Sequence, residues 1–106
     1  MIDITVFTKK NEYVGIEVKG HAQYAEEGKD IVCAAVSALT INTVNAIEVF
    51  TDDKFICNQQ EGYLELRLKN SISDKAELLL KTLIMGVNGI QESYGEEHIK
   101  IVIKEV

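Results

Sequence analysis

Hydrophobic residues recur at every second position in some stretches of this chain and at every third or fourth in others. Ile2, Ile4 and Val6 alternate with Asp3, Thr5 and Phe7, and Val14, Ile16 and Val18 alternate with Gly15, Glu17 and Lys19. A period of two places one set of side chains on each face of an extended strand. The polar piece Lys9-Lys10-Asn11-Glu12 between them predicts a hairpin turn. Leu64, Leu66 and Leu68 set against Glu65, Arg67 and Lys69 form the clearest strand. Lys54–Gln59 is expected to pair with it through a turn at Gln60-Glu61-Gly62. Ile99, Ile101 and Ile103 supply a last strand.

Two helical patterns interrupt the strands. The first is predicted over Ile31–Phe50, with Asp30 as the N-cap whose carboxylate accepts an orphan backbone N–H. Its first half is apolar nearly all round, which predicts burial between layers. The second is predicted over Asp74–Tyr94, where Ala76, Leu79, Leu80, Leu83, Ile84, Val87, Ile90 and Tyr94 share one face. Gly86 and Gly89 lie inside it at a cost in helix stability, which suggests close approach of another backbone. Gly95 is placed for a C-terminal cap. The order β-β-α-β-β-α-β predicts an α+β fold: a mostly antiparallel sheet with both helices packed on one face. Repeats, low-complexity segments and linkers are absent from the sequence, so residues 1–106 read as a single domain.

Composition narrows the function classes. The chain carries 11 basic against 17 acidic residues, net −6, with a pI near 4.9. A nucleic-acid binder needs a basic surplus to neutralise phosphates, so nucleic acid is not expected as a partner. An acidic surface suits a basic protein or peptide, although many soluble proteins are acidic without one. Met1 opens directly into an alternating strand, so no signal peptide is expected. The 17 uncharged residues between Asp30 and Glu48 are broken by Ser37, Thr40, Asn42, Thr43 and Asn45. They fall short of the roughly 20 apolar residues of a bilayer span, so no membrane association is expected. Cys33 and Cys57 are too few and too far apart for a disulfide scaffold or a zinc motif. A cytoplasmic location with reduced thiols is the natural reading.

Chemistry concentrates in one connection. Gly20-His21-Ala22-Gln23-Tyr24-Ala25-Glu26-Glu27-Gly28-Lys29-Asp30 joins the second strand to the first helix. It is long for a compact domain whose other connections are short. With Asp30 as N-cap, Cys33 takes the third helical position, near orphan N–H groups and the positive end of the helix dipole. Both favour a thiolate. If His21 reaches Cys33, the pair matches the arrangement of cysteine hydrolases. Ser37 lies one turn on and either donates to the thiolate or shapes the site. A buried structural cysteine explains Cys33 equally well by composition, since Ile31-Val32-Cys33-Ala34-Ala35-Val36 is a good core sequence. His21 as a surface residue and Asp30 as a cap are likewise ordinary. Cys57, on a strand and without a basic neighbour, reads as structural. The isolated His21 and His98 and the lack of a phosphate loop suggest no metal and no cofactor.

Gly20-His21-Ala22, a loop containing Gly28, and then Asp30-Ile31-Val32-Cys33-Ala34-Ala35-Val36-Ser37 closely resemble the signature of the bacterial ribosomal-processing cysteine proteases, the Prp family. The likeness extends over essentially the whole chain, including the late helix at Leu83–Gly89, and loosens at Tyr94-Gly95-Glu96-Glu97-His98. The resemblance implies a single cytoplasmic, homodimeric cysteine-peptidase domain. The family's task is removal of an N-terminal extension from large-subunit ribosomal protein twenty-seven. It implies Cys33 as nucleophile and His21 as general base, with Asp30 and Ser37 supporting. It also implies a mobile loop containing Gly20, Ala22 and Gly28 that closes over the peptide. Two other classes remain open from the residues themselves: a non-enzymatic dimeric module that binds peptide or assists ribosome assembly, and a redox-sensing thiol protein.

Overall fold

A computed structural model describes residues 1–20 and 29–106, the side chains of residues 29 and 30 excepted. The elements run β1 (Ile2–Lys9), β2 (Glu12–Lys19), α1 (Lys29–Phe50), β3 (Phe55–Gln60), β4 (Tyr63–Leu68), α2 (Asp74–Tyr94) and β5 (Ile99–Glu105). The strands form one five-stranded sheet in the order β3-β4-β2-β1-β5. Three of its pairings are antiparallel, and β5 lies parallel to β1. The architecture is the expected α+β fold with a mostly antiparallel sheet. The parallel edge arises because the chain leaves β4, crosses the sheet through α2 and returns on the far side of β1.

Alternation builds the core face of the sheet. Ile2, Ile4 and Val6 of β1, Ile16 of β2, Leu64, Leu66 and Leu68 of β4 and Ile99 of β5 are all buried. Against them α1 presses Val32, Val36 and Ile47, and α2 presses Ala76, Leu80, Leu83, Ile84 and Val87. One part of the β2 pattern is overridden. The register shifts between Phe7 and Thr8, so Phe7 pairs with Gly15 while Thr8 pairs with Tyr13, and Val14 has no partner. Beyond that bulge the alternation reverses, and Tyr13 rather than Val14 packs against the core. The first β-hairpin turns at Lys10 and Asn11, both with positive φ (51° and 65°), as short hairpin turns of the right twist require.

The two helices end differently from each other. Ser73 caps α2: its hydroxyl accepts from the Ala76 amide at 3.1 Å, and Asp53 in turn accepts from the Ser73 amide at 2.8 Å and from the Ser73 hydroxyl. At its other end the Gly95 amide donates to the Gln91 carbonyl, and a φ of 96° makes glycine the natural residue there. The turn after Gly95 is a structural clasp. His98 donates its amide to Gly95, and its carbonyl receives the Ile2 amide at 2.9 Å. The Gln91 side chain donates to the Ile99 carbonyl at 3.0 Å.

Helix α1 departs from expectation at two points. It is already formed at Lys29, so Asp30 lies inside the first turn and is not the N-cap, and Cys33 is the fifth helical residue rather than the third. The helix is also not buried on all sides. Val32, Val36, Thr40, Thr43 and Ile47 face the core, whereas Ile31, Ala34, Ala38, Ile41 and Val49 are exposed on the opposite face. Among the described residues, the core that covers α1 lies on the side of Val32, Val36 and Ile47. Thr40 and Thr43 tolerate burial because their hydroxyls donate to the Val36 and Leu39 carbonyls, both at 2.7 Å.

Candidate active site

Cys33 is half-buried and packs against the edge of the core near the start of α1. A helical side chain leans back toward the N-terminus, so the thiol is carried toward the helix end although Cys33 lies past the first turn. Ser37 follows one turn later and is exposed. His21, Ala22 and Gly28 lie outside the described residues, as does the side chain of Asp30. The approach of His21 to Cys33 is therefore not part of the described geometry.

Gly20, grouped with the loop on sequence, is tied down. Its amide donates to the Gly62 carbonyl at 2.9 Å, fastening the end of β2 to the tip of the β3–β4 hairpin. Its φ is 111°, and a Cβ there would strike the Met1 carbonyl. Glycine is thus required on both counts: the backbone conformation is left-handed, and the N-terminal strand passes too closely for a side chain. The residue before His21 consequently has a fixed position relative to the sheet.

Between this anchored tip and α1 lies a cleft of about 270 Å³. Val18, Thr40 and Leu64 line its inner part, and Ser37, Ile41 and Gln59 are among the residues around it. Ser37 and Ile41 follow Cys33 at intervals of four along α1, so the cleft continues the side of the helix that carries the thiol. Gln59 escaped the sequence reading, as did the rest of the hairpin tip. A turn of exposed amides and glycine carries no chemical signature, and only the pairing of β4 with β2 brings it to α1.

Cys57 occupies a different environment. It pairs opposite Leu66 on β3, is half-buried against the core, and burial pushes its thiol pKa up. A raised pKa opposes nucleophilic use at neutral pH, in keeping with a structural role. Among the described residues no three His, Cys, Asp or Glu side chains come together in a way that could hold a metal ion.

Cys33 lies near the head of α1, Ser37 and Ile41 of the same helix border a cleft that Gly20 also lines, and in the sequence Gly20 leads directly into His21. That is the layout of a thiol hydrolase on a mixed α+β sheet. The chain's residues 1–100 match the family described as cysteine protease Prp, and the chain belongs to that family. The ribosomal processing cysteine protease Prp of Staphylococcus aureus is 34% identical over 97 residues, covering 90% of this chain and 91% of its own length. Two crystal structures of an S. aureus Prp superpose over 98% of this chain and all of theirs. One is in complex with a substrate peptide (TM-score 0.90, 30% identity), the other with a covalently linked product peptide (TM-score 0.87, 31% identity). The protein is accordingly a cysteine protease, which sets aside the non-enzymatic binding module and the redox sensor as its primary role.

Proposed function

We propose that this enzyme removes the N-terminal extension from a precursor of large-subunit ribosomal protein twenty-seven, with Cys33 as nucleophile and His21 as general base. The observation that carries the reading is the accessible thiol of Cys33 at the head of α1, in a chain that matches the Prp family through both flanks of that residue. The ribosomal-processing name and the covalently linked product peptide of the S. aureus relatives support it.

In this mechanism His21 takes the Cys33 proton and the sulfur attacks the scissile carbonyl carbon. Backbone N–H groups where the loop enters α1 stabilise the oxyanion. The imidazolium then protonates the leaving amine as the C–N bond breaks, leaving a thioester on Cys33. Water, activated by the same imidazole, hydrolyses the thioester and restores the thiol. Asp30 and Ser37 support this machinery, and the segment containing Ala22 and Gly28 closes over the peptide. The enzyme works in the cytoplasm as a homodimer, without nucleic acid, membrane, metal or cofactor. The outer face of α1 exposes Ile31, Ala34, Ala38, Ile41 and Val49 alongside Glu48, and this apolar content supports pairing with a second copy. The excess of acidic residues suits a basic ribosomal protein.

A peptide spanning the extension and the first residues of the mature protein tests this reading. The wild-type enzyme should produce one cut, and Cys33→Ala should produce none. His21→Ala should lose about 10²- to 10⁴-fold, the usual contribution of a positioned general base. Cleavage by Cys33→Ala at the wild-type rate would refute the mechanism.

A further inference from the structure

We propose that the cleft between the C-terminal end of α1 and the start of α2 is a docking surface for the basic segment of the substrate that follows the cut, held by Phe50 and Asp52. The proposal rests on the reading of the substrate as a ribosomal-protein precursor. It extends that reading to a face about 25 Å along α1 from Cys33. The enzyme then grips its substrate twice, at the scissile bond and on the part that is retained.

The surface is apolar on one side and preformed. Val49 and Phe50 close α1 with 72% and 68% of their surface exposed, although Ile47 just before them is buried. They border a cleft of about 370 Å³, within the range of about 300–1,000 Å³ for sites that hold a ligand. Asp52, Asp53, Ser73 and Asp74 line the rest of it. The turn that carries the aspartates is fixed: the Thr51 hydroxyl donates to the Ile47 carbonyl at 2.7 Å, and the Asp53 amide donates to the Thr51 hydroxyl at 3.1 Å. Asp53 in turn accepts from the Ser73 amide, which joins the two walls. A surface held in this way loses little freedom when a partner binds.

Charge decides the occupant. Three aspartates line the cleft against one lysine, Lys75, and Glu48 is exposed beside Val49. Helix α1 has no basic residue in its last turn, so the negative end of its dipole adds to theirs. The N-terminus of α2, which would attract an anion, is closed: the Ser73 hydroxyl accepts from the Ala76 amide, and Asp53 takes the Ser73 amide. Among the described residues Asp52 and Asp74 take part in no ion pair, and both are exposed. Carboxylates beside an exposed aromatic ring suit lysine and arginine, which the ring face also attracts. A second copy fits poorly, because it too carries a net charge of −6 and like charges opposed across an interface weaken it. A ribosomal protein fits well, since it must neutralise RNA phosphates with a basic surplus. That surplus belongs to the part retained after cleavage. An extended chain advances about 3.3 Å per residue, so the docked segment begins about eight residues beyond the cut.

Two precursor peptides with the same extension read the surface out, one ending about four residues past the cut and the other about twenty. A linked second contact commonly raises affinity by about 10²- to 10⁴-fold, so the long peptide should show a KM at least tenfold lower than the short one in the wild-type enzyme. Phe50→Ser and Asp52→Lys change exposed residues outside the catalytic machinery. Each should bring the long peptide's KM to within about threefold of the short one's, with kcat and the short-peptide KM unchanged. Raising salt from about 50 to 300 mM should shrink the long peptide's advantage, because screening weakens exposed charge pairs. Equal KM values for the two peptides in the wild type, or an advantage that survives in both variants, would overturn the proposal. Dissociation of a dimer by Phe50→Ser in sedimentation velocity would assign the face to a second copy and overturn it as well. Binding to Cys33→Ala, followed by fluorescence anisotropy, separates this proposal from the reading it rests on. The probe is a labelled peptide of the twenty residues past the cut, without the extension. If the wild-type protein cuts neither precursor, the assigned reaction fails, while a probe Kd raised at least tenfold by adding Asp52→Lys still establishes the docking surface.

Discussion

Gly86 and Gly89 lie three residues apart on α2, and the same substitution should have opposite consequences at the two. Replacing glycine by alanine in a helix interior gains about 0.8–1.0 kcal/mol from backbone entropy. At Gly89 an added Cβ meets nothing within 4 Å, so the full gain is expected. For a domain of this size that raises Tm by about 4–6 °C. At Gly86 the Cβ would stand 2.8 Å from Cδ1 of Leu39 on α1. Carbon pairs prefer about 3.5–4.0 Å, so Leu39 must turn aside. Leu39 is packed against the core, and moving it gives up contacts that hold α1 to α2. Overpacking of this kind costs about 1–3 kcal/mol. Gly86→Ala should therefore fall between neutral and about 2 kcal/mol destabilising. Urea unfolding followed by far-UV circular dichroism measures both, with an unchanged m-value as the check on two-state behaviour. In a Leu39→Ala background the clash disappears, and Gly86→Ala should then be at least about 1 kcal/mol less damaging than in the wild type. If Gly86→Ala stabilises the wild-type protein as much as Gly89→Ala does, the close packing of Leu39 on Gly86 is not what the glycine serves.

Other expectations follow from single groups. Burial tends to raise the Asp53 pKa, but hydrogen bonds from the Ser73 hydroxyl and amide, the Thr51 hydroxyl and its own amide outweigh this and hold it below the ordinary 3.8. Its stabilisation is thus present above that value and lost as pH falls through the lowered one. Asp53→Asn should cost about 1 kcal/mol at pH 7. The gap between wild-type and variant Tm should shrink as pH falls below 3.8 and close once it has passed through the lowered folded-state value, and a gap that stays constant throughout acid titration would contradict the ionised role. Cys57, its thiol raised by burial, should react with iodoacetamide more slowly than Cys33 at pH 7 and catch up only under alkaline conditions. Peptide mapping of the labelled protein distinguishes the two, and faster labelling of Cys57 would reverse their assignments. Ala38→Glu places a charge on the outer face of α1 and should convert the proposed dimer to monomer in sedimentation velocity, while a wild-type protein that sediments as a monomer would refute the dimer itself. An unaltered dimer would locate the interface elsewhere.

The periodic pattern carried most of the fold. A sheet or helix face exposed on one side must repeat its apolar residues at the element's own period, so Ile2–Val6, Leu64–Leu68 and Ala76–Val87 declared strand, strand and helix. The span of α2 and its cap at Gly95 agree with the sequence reading to the residue. Elsewhere neighbours decided what the local pattern left open. The bulge at Phe7/Thr8 exchanged Val14 for Tyr13, because register depends on the partner strand. The outward face of α1 looked like core, because an exposed apolar stretch has the same composition as a buried one and only the neighbouring elements decide which it is.

The candidate site divides in the same way. By itself the sequence determined the residue types: a cysteine at the head of a helix and a histidine just past a strand end, in a pattern matching one protease family. Those are covalent facts, fixed by spacing along the chain. Tertiary structure alone decided that α1 is already formed at Lys29, that Gly20 is fastened to Gly62, and that Gln59 stands across a cleft from Ile41. Gln59 and Ile41 are far apart in sequence and carry no shared signature, and only the pairing of β2, β4 and β3 beneath α1 brings them together. Residue chemistry is written locally, whereas the shape of the cleft comes from long-range contact.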